Sequence, residues 1–238
     1  MQHYFLETYG RKTHYLNNGI QVNDPVAPDK IRKFGLKEQN YILYLGRIVP
    51  EKGIHYLIEA FCGIDTDVKL VIAGNADKTN PYAMSICEKA EKDDRIIMPG
   101  FVEGQMLEEL YSNCIAYVLP SDVEGMAITM LEAMSYGAHC IFSDIPENRE
   151  VAGDYARYFP VGDVKALRER LKLAISFRES EKNADGEREI AYIKEKFSWE
   201  PVVDSTLDIY NLAIRKVRMC AVSKKWDEMN EEKSGLPE

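Results

Sequence analysis

Residues 41–62 read YILYLGRIVPEKGIHYLIEAFC, and the order of their chemistry decides the fold class. Tyr41 to Leu45 is an uninterrupted apolar run of strand length, and Gly46 stops it. From Ile54 to Cys62 the stretch is helix-like, with Gly53 at its mouth behind the charged pair Glu51-Lys52. A strand covered on both faces has no polar side to alternate with, so such runs predict a parallel sheet sandwiched by helices.

Working outward, the same unit recurs. Val68–Ala73 (VKLVIA), Arg95–Met98 (RIIM), Ile115–Leu119 (IAYVL) and His139–Phe142 (HCIF) read as further strands, and Ala156–Phe159 (ARYF) as a shorter one. Pro81–Lys92, Met106–Ser112, Ala127–Tyr136 and Val164–Phe177 read as the intervening helices. Gly74 and Gly100 close strands, Gly137 suits a helix C-terminus, and Asp163 suits an N-cap. Alternation every roughly 20 to 25 residues predicts right-handed βαβ units forming a Rossmann-like, doubly wound α/β sheet.

The remaining segments set the expected boundaries. Residues 1–20 read as a linker or remnant preceding the domain, 21–198 as the Rossmann-like domain, 199–225 as a closing helix and 226–238 as a disordered tail. Trp199, Val203, Leu207, Tyr210 and Ile214 recur at helical spacing, which fits that closing helix and leaves peripheral membrane contact as a second use of its apolar face. Glu179 to Glu189 is dense in charge and reads as a solvated helix face.

Composition excludes several classes of function. A net charge of −9 argues against a general nucleic-acid surface, because the phosphate backbone selects basic faces. The five cysteines and four histidines are scattered, with no metal-ligand spacing, so the cysteines read as buried or half-buried thiols and no metal site is expected. No run approaches the ~20 apolar residues of a membrane span, and the N-terminus lacks a signal-peptide core, so a cytoplasmic protein is expected.

Ligands of open α/β sheets bind beyond the carboxyl ends of the strands, which directs attention to the loops after the strand candidates. GRIVPEKG places Arg47 directly after a strand and Lys52 at a helix N-terminus, a combination suited to a diphosphate. Arg47 offers a planar fork and Lys52 a mobile point charge, although two such cations in one loop are more often solvated than ligated. The spacing is not that of a P-loop, and no GxGxxG is followed by an acidic residue as in dinucleotide-binding folds. In PSDVEGMAITMLEAM, Glu124 follows a strand and Glu132 falls on the next helix, so both carboxylates can border one elongated ligand and accept its hydroxyls. Taken singly, each is also explained as a helix-surface or N-terminal-turn acid.

Together GRIVPEKGIHYLIEAF, LVIAGNA, IIMPGFVEG and YVLPSDVEGMAITMLEAMSYGAHCIFSDIPENREV resemble the C-terminal domain of the retaining GT-B fold glycosyltransferases known as glycosyl transferases group 1, or family four. The resemblance runs from about Asn18 to Tyr210, and its most specific element is the pair of glutamates with seven residues between them. It implies one half of a GT-B glycosyltransferase that moves a hexosyl group from a nucleotide diphosphate sugar (UDP-, GDP- or ADP-linked) to a hydroxyl on a sugar, lipid or polysaccharide acceptor. It implies further that Arg47 and Lys52 bind the diphosphate and stabilise the leaving group without a metal, with Gly46 beside them. Glu132 would hold the ribose and Glu124 would lie near the transferred sugar. The backbone of Gly125, Met126 and Ala127, with Ile128 after it, would follow the sugar and phosphates, and Phe101 and Val102 would line the base pocket. Many family members have Gly-Phe-Gly or Gly-Phe-Pro where this chain has Gly125-Met126-Ala127, which changes the sugar contacts. The family's N-terminal domain is expected to supply the acceptor contacts, so this chain alone is expected to be inactive. Two alternatives remain: a non-catalytic nucleotide-sugar-binding module serving a separate acceptor-binding chain, and a GT-B sugar-nucleotide epimerase.

Overall fold

The computed structural model describes residues 2–77, 79–176 and 182–234, the side chains of 182–185 and 218–234 excepted. In chain order the elements are α1 (Gln2–Tyr9), β1 (Tyr41–Leu45), α2 (Ile54–Cys62), β2 (Lys69–Ala73), α3 (Pro81–Ala90), β3 (Ile96–Gly100), α4 (Gln105–Asn113), β4 (Ala116–Leu119), α5 (Ile128–Ser135), β5 (Cys140–Ser143), α6 (Pro146–Ala152), β6 (Arg157–Phe159), α7 (Val164–Ser176), α8 (Lys182–Phe197) and α9 (Trp199–Ser234). The chain divides into two compact units, Ile20–Phe197 and the pair Met1–Gly19 with Ser198–Glu238.

Within Ile20–Phe197 the six strands form one parallel sheet in the order β3-β2-β1-β4-β5-β6. This is the expected Rossmann-like, doubly wound arrangement, in which the chain winds outward from β1 on one side and from β4 on the other. Successive side chains of a strand face opposite ways, so each face of the sheet builds its own core. Tyr41, Leu43, Val71, Tyr117 and Phe142 pack with Leu110, Tyr111, Leu131, Met134 and Ile193 on one face. Ile42, Tyr44, Leu70, Ile72, Val118 and Ile141 pack with Leu57, Phe61, Ile86, Leu167 and Leu171 on the other.

The helix boundaries have local causes. Asn80 accepts hydrogen bonds from the Tyr82 and Ala83 N–H groups to cap α3, and Asp163 caps α7 through Lys165 and Ala166 N–H as its position suggests. Gly137 follows α5 at φ +64°, and a Cβ there would press on Gly186 of α8, so these two glycines let α5 and α8 approach closely.

Three departures from the sequence-based expectation have physical reasons. PENREVA, too short and polar to show an apolar stripe, forms α6 with Pro146 at its first position and Asn148 fully buried. In the charged stretch 179–189, residues 179–181 lie outside the described residues and Glu187 and Arg188 are exposed, but Glu189 is buried because α8 packs inward through Ile193 and Phe197. Cys62, expected to be at least half-buried, is exposed at the end of α2, whereas Cys114 and Cys140 are buried.

In the other unit, Gly19 sits against the Trp199 indole so closely that a side chain there would overlap the ring. Val203, Leu207, Tyr210 and Ile214 of α9 are exposed. Helix α9 runs to Ser234, and residues 235–238 of the expected tail, like Phe177 of the expected helix, lie outside the described residues. Among the described residues no helix is long and apolar enough to cross a membrane.

Candidate functional site

The two strands at which the winding direction reverses, β1 and β4, are neighbours with Ile42 beside Ala116 and Leu43 beside Tyr117. Their following loops, 46–53 and 120–127, therefore rise together at one end of the sheet. They meet backbone to backbone: the Asp122 N–H donates to the Glu51 carbonyl at 2.9 Å. Gly53, at φ +64°, lies against the Pro120 carbonyl at a separation that no Cβ would tolerate.

Across this junction the Lys52 Nζ donates to Glu124 Oε1 at 2.5 Å. The Ser121 hydroxyl donates to the same oxygen at 2.6 Å. With only 15% of the Lys52 and 6% of the Glu124 side chain exposed, the pair is largely withdrawn from water. Lys52 is thus an anchored cation rather than the mobile point charge suggested by its residue type, because a partner 72 residues away holds it. An ammonium has three donors, so two remain for a ligand.

Arg47 behaves differently. Its side chain is 75% exposed and reaches Glu51 only at 3.9 Å, a loose contact that leaves its fork free to turn. Its carbonyl accepts a hydrogen bond from the Tyr44 hydroxyl at 2.9 Å. Burial, reinforced by the Glu124 carboxylate, raises the Tyr44 pKa, so the phenol keeps the proton it donates. Gly46 continues the sheet, its N–H donating to the Ala73 carbonyl at 3.0 Å.

Beyond Glu124, Gly125 is exposed, Met126 and Ala127 are half-buried against the core, and Ile128 is exposed at the start of α5. Neither α2 nor α5 carries a cap from its N-cap side chain, but at α2 the Tyr82 hydroxyl accepts from the His55 N–H at 3.4 Å and the Gly53 carbonyl from the Tyr56 N–H at 3.0 Å. The helix start that faces the junction with free donors is therefore that of α5, where Ile128 and Thr129 precede the first bonded N–H, Met130 to Ala127. Of the two candidate base-pocket residues, Phe101 is 71% exposed after β3, whereas the Val102 side chain is 8% exposed and belongs to the core.

Glu132 lies in the second turn of α5 and accepts a hydrogen bond from the Tyr111 hydroxyl at 2.8 Å. Tyr111 is itself stacked on Tyr136, with ring centroids 5.8 Å apart. Burial raises the Glu132 pKa above the usual glutamate value and the Tyr111 hydrogen bond opposes that rise. The carboxylate helps to line a cavity of about 190 Å³ together with Asn23, Leu107, Glu108, Tyr111 and Tyr136. No residue of 46–53 or 120–128 lines that cavity, so the two glutamates occupy separate surroundings. The loops thus bring Lys52 and Glu124 into contact, while Arg47 and Glu132 each stand with a different partner.

Sequence reasoning missed Ser121, Tyr44 and Tyr111. Ser121, three residues before Glu124 in PSDVE, carried a usable signal, since a serine at that spacing can bond a following carboxylate. The tyrosines carried none, each reading as core. Among the described residues no three His, Cys, Asp or Glu side chains converge to hold a metal ion.

The sequence pattern of glycosyl transferases group 1 matches residues 27–188, a segment that contains both loops together with Tyr44, Arg47, Lys52, Tyr111, Ser121, Glu124 and Glu132. The chain belongs to this family. Curated relatives of this group 1 glycosyltransferase chain include the O-antigen chain mannosyltransferase B of Escherichia coli, 27% identical over 191 residues that cover 76% of this chain and 48% of the relative. Another is the alpha-maltose-1-phosphate synthase of Mycolicibacterium smegmatis, 26% identical over 219 residues that cover 84% and 56%. The chain thus spans about half the length of the curated relatives it matches. In fold it is similar to Anabaena HepE, solved in complex with UDP and glucose, with a TM-score of 0.78 at 19% identity over 88% of this chain and 60% of that one. The fold is that of the Rossmann-like halves of GT-B glycosyltransferases.

Proposed function

We propose that this chain is the nucleotide-sugar-binding half of a retaining glycosyltransferase and that the β1/β4 junction holds the donor diphosphate. The observation that carries the reading is the juxtaposition of an anchored cation, Lys52, and a free-swinging one, Arg47, beside the uncapped N-terminus of α5. Backbone N–H groups at the α5 start and two nearby cations form a field complementary to a pyrophosphate. That field gains strength as the leaving nucleoside diphosphate acquires charge, so it favours the transition state over the bound donor. Arg47 and Lys52 take the neutralising role that a divalent metal has in other phosphate sites, so the donor is expected to bind without one.

The remaining roles follow the chain. Gly46 gives the β1 loop its close backbone approach, and Gly125, Met126, Ala127 and Ile128 present backbone to the sugar and phosphates. Glu124, bonded through Oε1, keeps its other oxygen for hydroxyls of the transferred hexose, and Glu132 accepts from the ribose. Phe101 supplies a face for the base and Val102 its backbone. The acceptor, a hydroxyl of a sugar, lipid or polysaccharide, would be gathered by a second domain, in keeping with a relative about twice as long as the segment that matches it. Attack would come on the face that the diphosphate leaves, with a donor phosphate oxygen taking the acceptor proton and the anomeric configuration retained.

Calorimetric titration with UDP, GDP and ADP in the presence of EDTA tests the reading. At least one is expected to bind, with Arg47→Ala and Glu132→Ala each weakening it by ~1 kcal/mol or more. Unaltered affinity in Arg47→Ala would remove the diphosphate from this junction. HepE was solved with UDP, which makes the uridine nucleotide the first to test.

A further inference from the structure

Behind the Lys52–Glu124 pair a chain of buried hydrogen bonds runs through three elements of the fold. Asn148 of α6, fully buried, donates from Nδ2 to the Ser143 carbonyl at 2.9 Å and to the Ser143 hydroxyl at 3.2 Å. Ser143, the last residue of β5 and also fully buried, donates its hydroxyl to the Ser121 carbonyl at 2.5 Å. Ser121, again fully buried, donates to Glu124 Oε1, and Glu124 holds Lys52.

The directions of these bonds are fixed by chemistry. A carbonyl accepts only, so the Ser143 carbonyl requires the NH2 end of Asn148, and with that end in place the Ser143 hydroxyl accepts from Asn148 and spends its own proton on Ser121. Asn148 Oδ1 is left buried with no hydrogen-bond partner among the described residues. An orphaned buried acceptor is costly, and the fold tolerates it while keeping both Nδ2 bonds. The segment so held is closely constrained on every side: Pro120 by Gly53, the Ser121 carbonyl by Ser143 and the Asp122 N–H by Glu51.

We propose that Ser143 and Asn148 are positioning residues that act through Ser121 to aim the Glu124 carboxylate, and through it to fix the Lys52 ammonium at the mouth of α2. They touch no ligand. Their work is to set which Glu124 oxygen is engaged and where the Lys52 charge sits before a ligand arrives, a preorganisation of the site for negative charge. The binding consequence rests on the donor-site reading above, whereas the geometric claim does not.

Two variants separate positioning from folding. Ser143→Ala removes a single hydroxyl, and Asn148→Asp keeps shape while presenting only acceptors, which turns the Ser143 proton away from Ser121. The readout is the rate of acetylation of Lys52 by acetic anhydride, followed by peptide mass spectrometry and normalised to the exposed Lys165 in a chain whose melting shows it to be folded. Both variants should speed Lys52 labelling relative to Lys165 by roughly fivefold, the factor that one ordinary hydrogen bond carries. An unchanged ratio, or equal acceleration at both lysines, overturns the proposal, the latter because it reports general loosening. A second arm measures affinity for the nucleoside diphosphate that binds: Ser143→Ala should weaken it in the wild-type background and have no effect when combined with Glu124→Ala. Equal weakening in both backgrounds would also overturn the positioning role. If UDP, GDP and ADP all fail to bind the unmodified chain, the donor-site reading falls, and the labelling ratio still decides the role of Ser143 and Asn148.

Discussion

Lys52 and Glu124 lie 72 positions apart in the chain and 2.5 Å apart in space, joined across the junction of β1 and β4. Each neutralises the other in a place where little water reaches either. Removing both partners should therefore cost less than the two single losses added together. Glu124→Gln and Lys52→Met are each expected to lower unfolding free energy by roughly 2 to 3 kcal/mol, and the double variant by distinctly less than the sum. Urea denaturation of the four proteins measures the coupling, and strictly additive losses would mean that the contact contributes nothing.

Glu132 and Tyr111 give a pH-dependent prediction. Burial raises the Glu132 pKa, so the folded chain binds a proton there that the unfolded chain has already lost at the same pH. Its contribution to stability consequently falls as pH rises from the ordinary glutamate value through the folded one. Tyr111→Phe deletes the bond that opposes the rise, and should move the Glu132 midpoint further up. A carboxyl NMR titration reads it, and a midpoint moving down in Tyr111→Phe would contradict the burial account. If Glu132 accepts ribose hydroxyls, nucleotide affinity should weaken as pH drops through the same midpoint.

Asp93 shows the opposite sign. Its carboxylate is bonded twice to the Arg95 guanidinium, at 2.9 and 2.6 Å, and this lowers its pKa to about 2. A depressed carboxyl pKa stabilises the fold above the unfolded value, and that contribution is lost as pH falls towards 2. Arg95 also donates to the Ile64 carbonyl at 2.7 Å, so the pair ties the β3 entrance to the end of α2. Asp93→Asn should destabilise by about 1 to 2 kcal/mol at pH 7, with the deficit shrinking as pH falls below 4. Chemical denaturation at pH 7 and pH 3 checks it, and a constant difference would assign the loss to packing.

Gly53→Ala should be disproportionately harmful for a single methyl. The left-handed backbone costs an alanine about 1 kcal/mol, and the methyl also meets the Pro120 carbonyl, so a loss of roughly 2 kcal/mol or more is expected. Because the displaced segment carries Ser121 and Glu124, nucleoside diphosphate affinity should fall as well. A melting curve and a titration on the same sample test both, and unchanged values in both would show that the two loops do not bear on one another.

Most of the sheet was legible in the sequence because buried parallel strands write themselves as apolar runs. Tyr41–Leu45 and Ile54–Cys62 coincide with β1 and α2 to the residue. Short elements that face inward with polar side chains left no such trace: the buried residue of α6 that matters most, Asn148, is one that hydropathy assigns to the surface. In the candidate site, Arg47, Lys52, Glu124 and Glu132 stood out by residue type and by their place after strands. Which of them pair, and with what, did not, since the Lys52–Glu124 and Tyr111–Glu132 contacts depend on which strands and helices become neighbours. Glu189 was misjudged for a related reason, because charge density along a helix does not say which of its faces packs.

The register that sets Ile42 beside Ala116 also has a kinetic meaning. Neither half of the chain holds all the parts of the proposed anion cradle, so local helix and hairpin-scale events cannot assemble it. Competence to capture a ligand arises only when two distant stretches have searched for and docked against each other, a slow, entropically costly step. A nucleotide that binds this seam would therefore report, during refolding, the moment at which the two wings of the sheet become one.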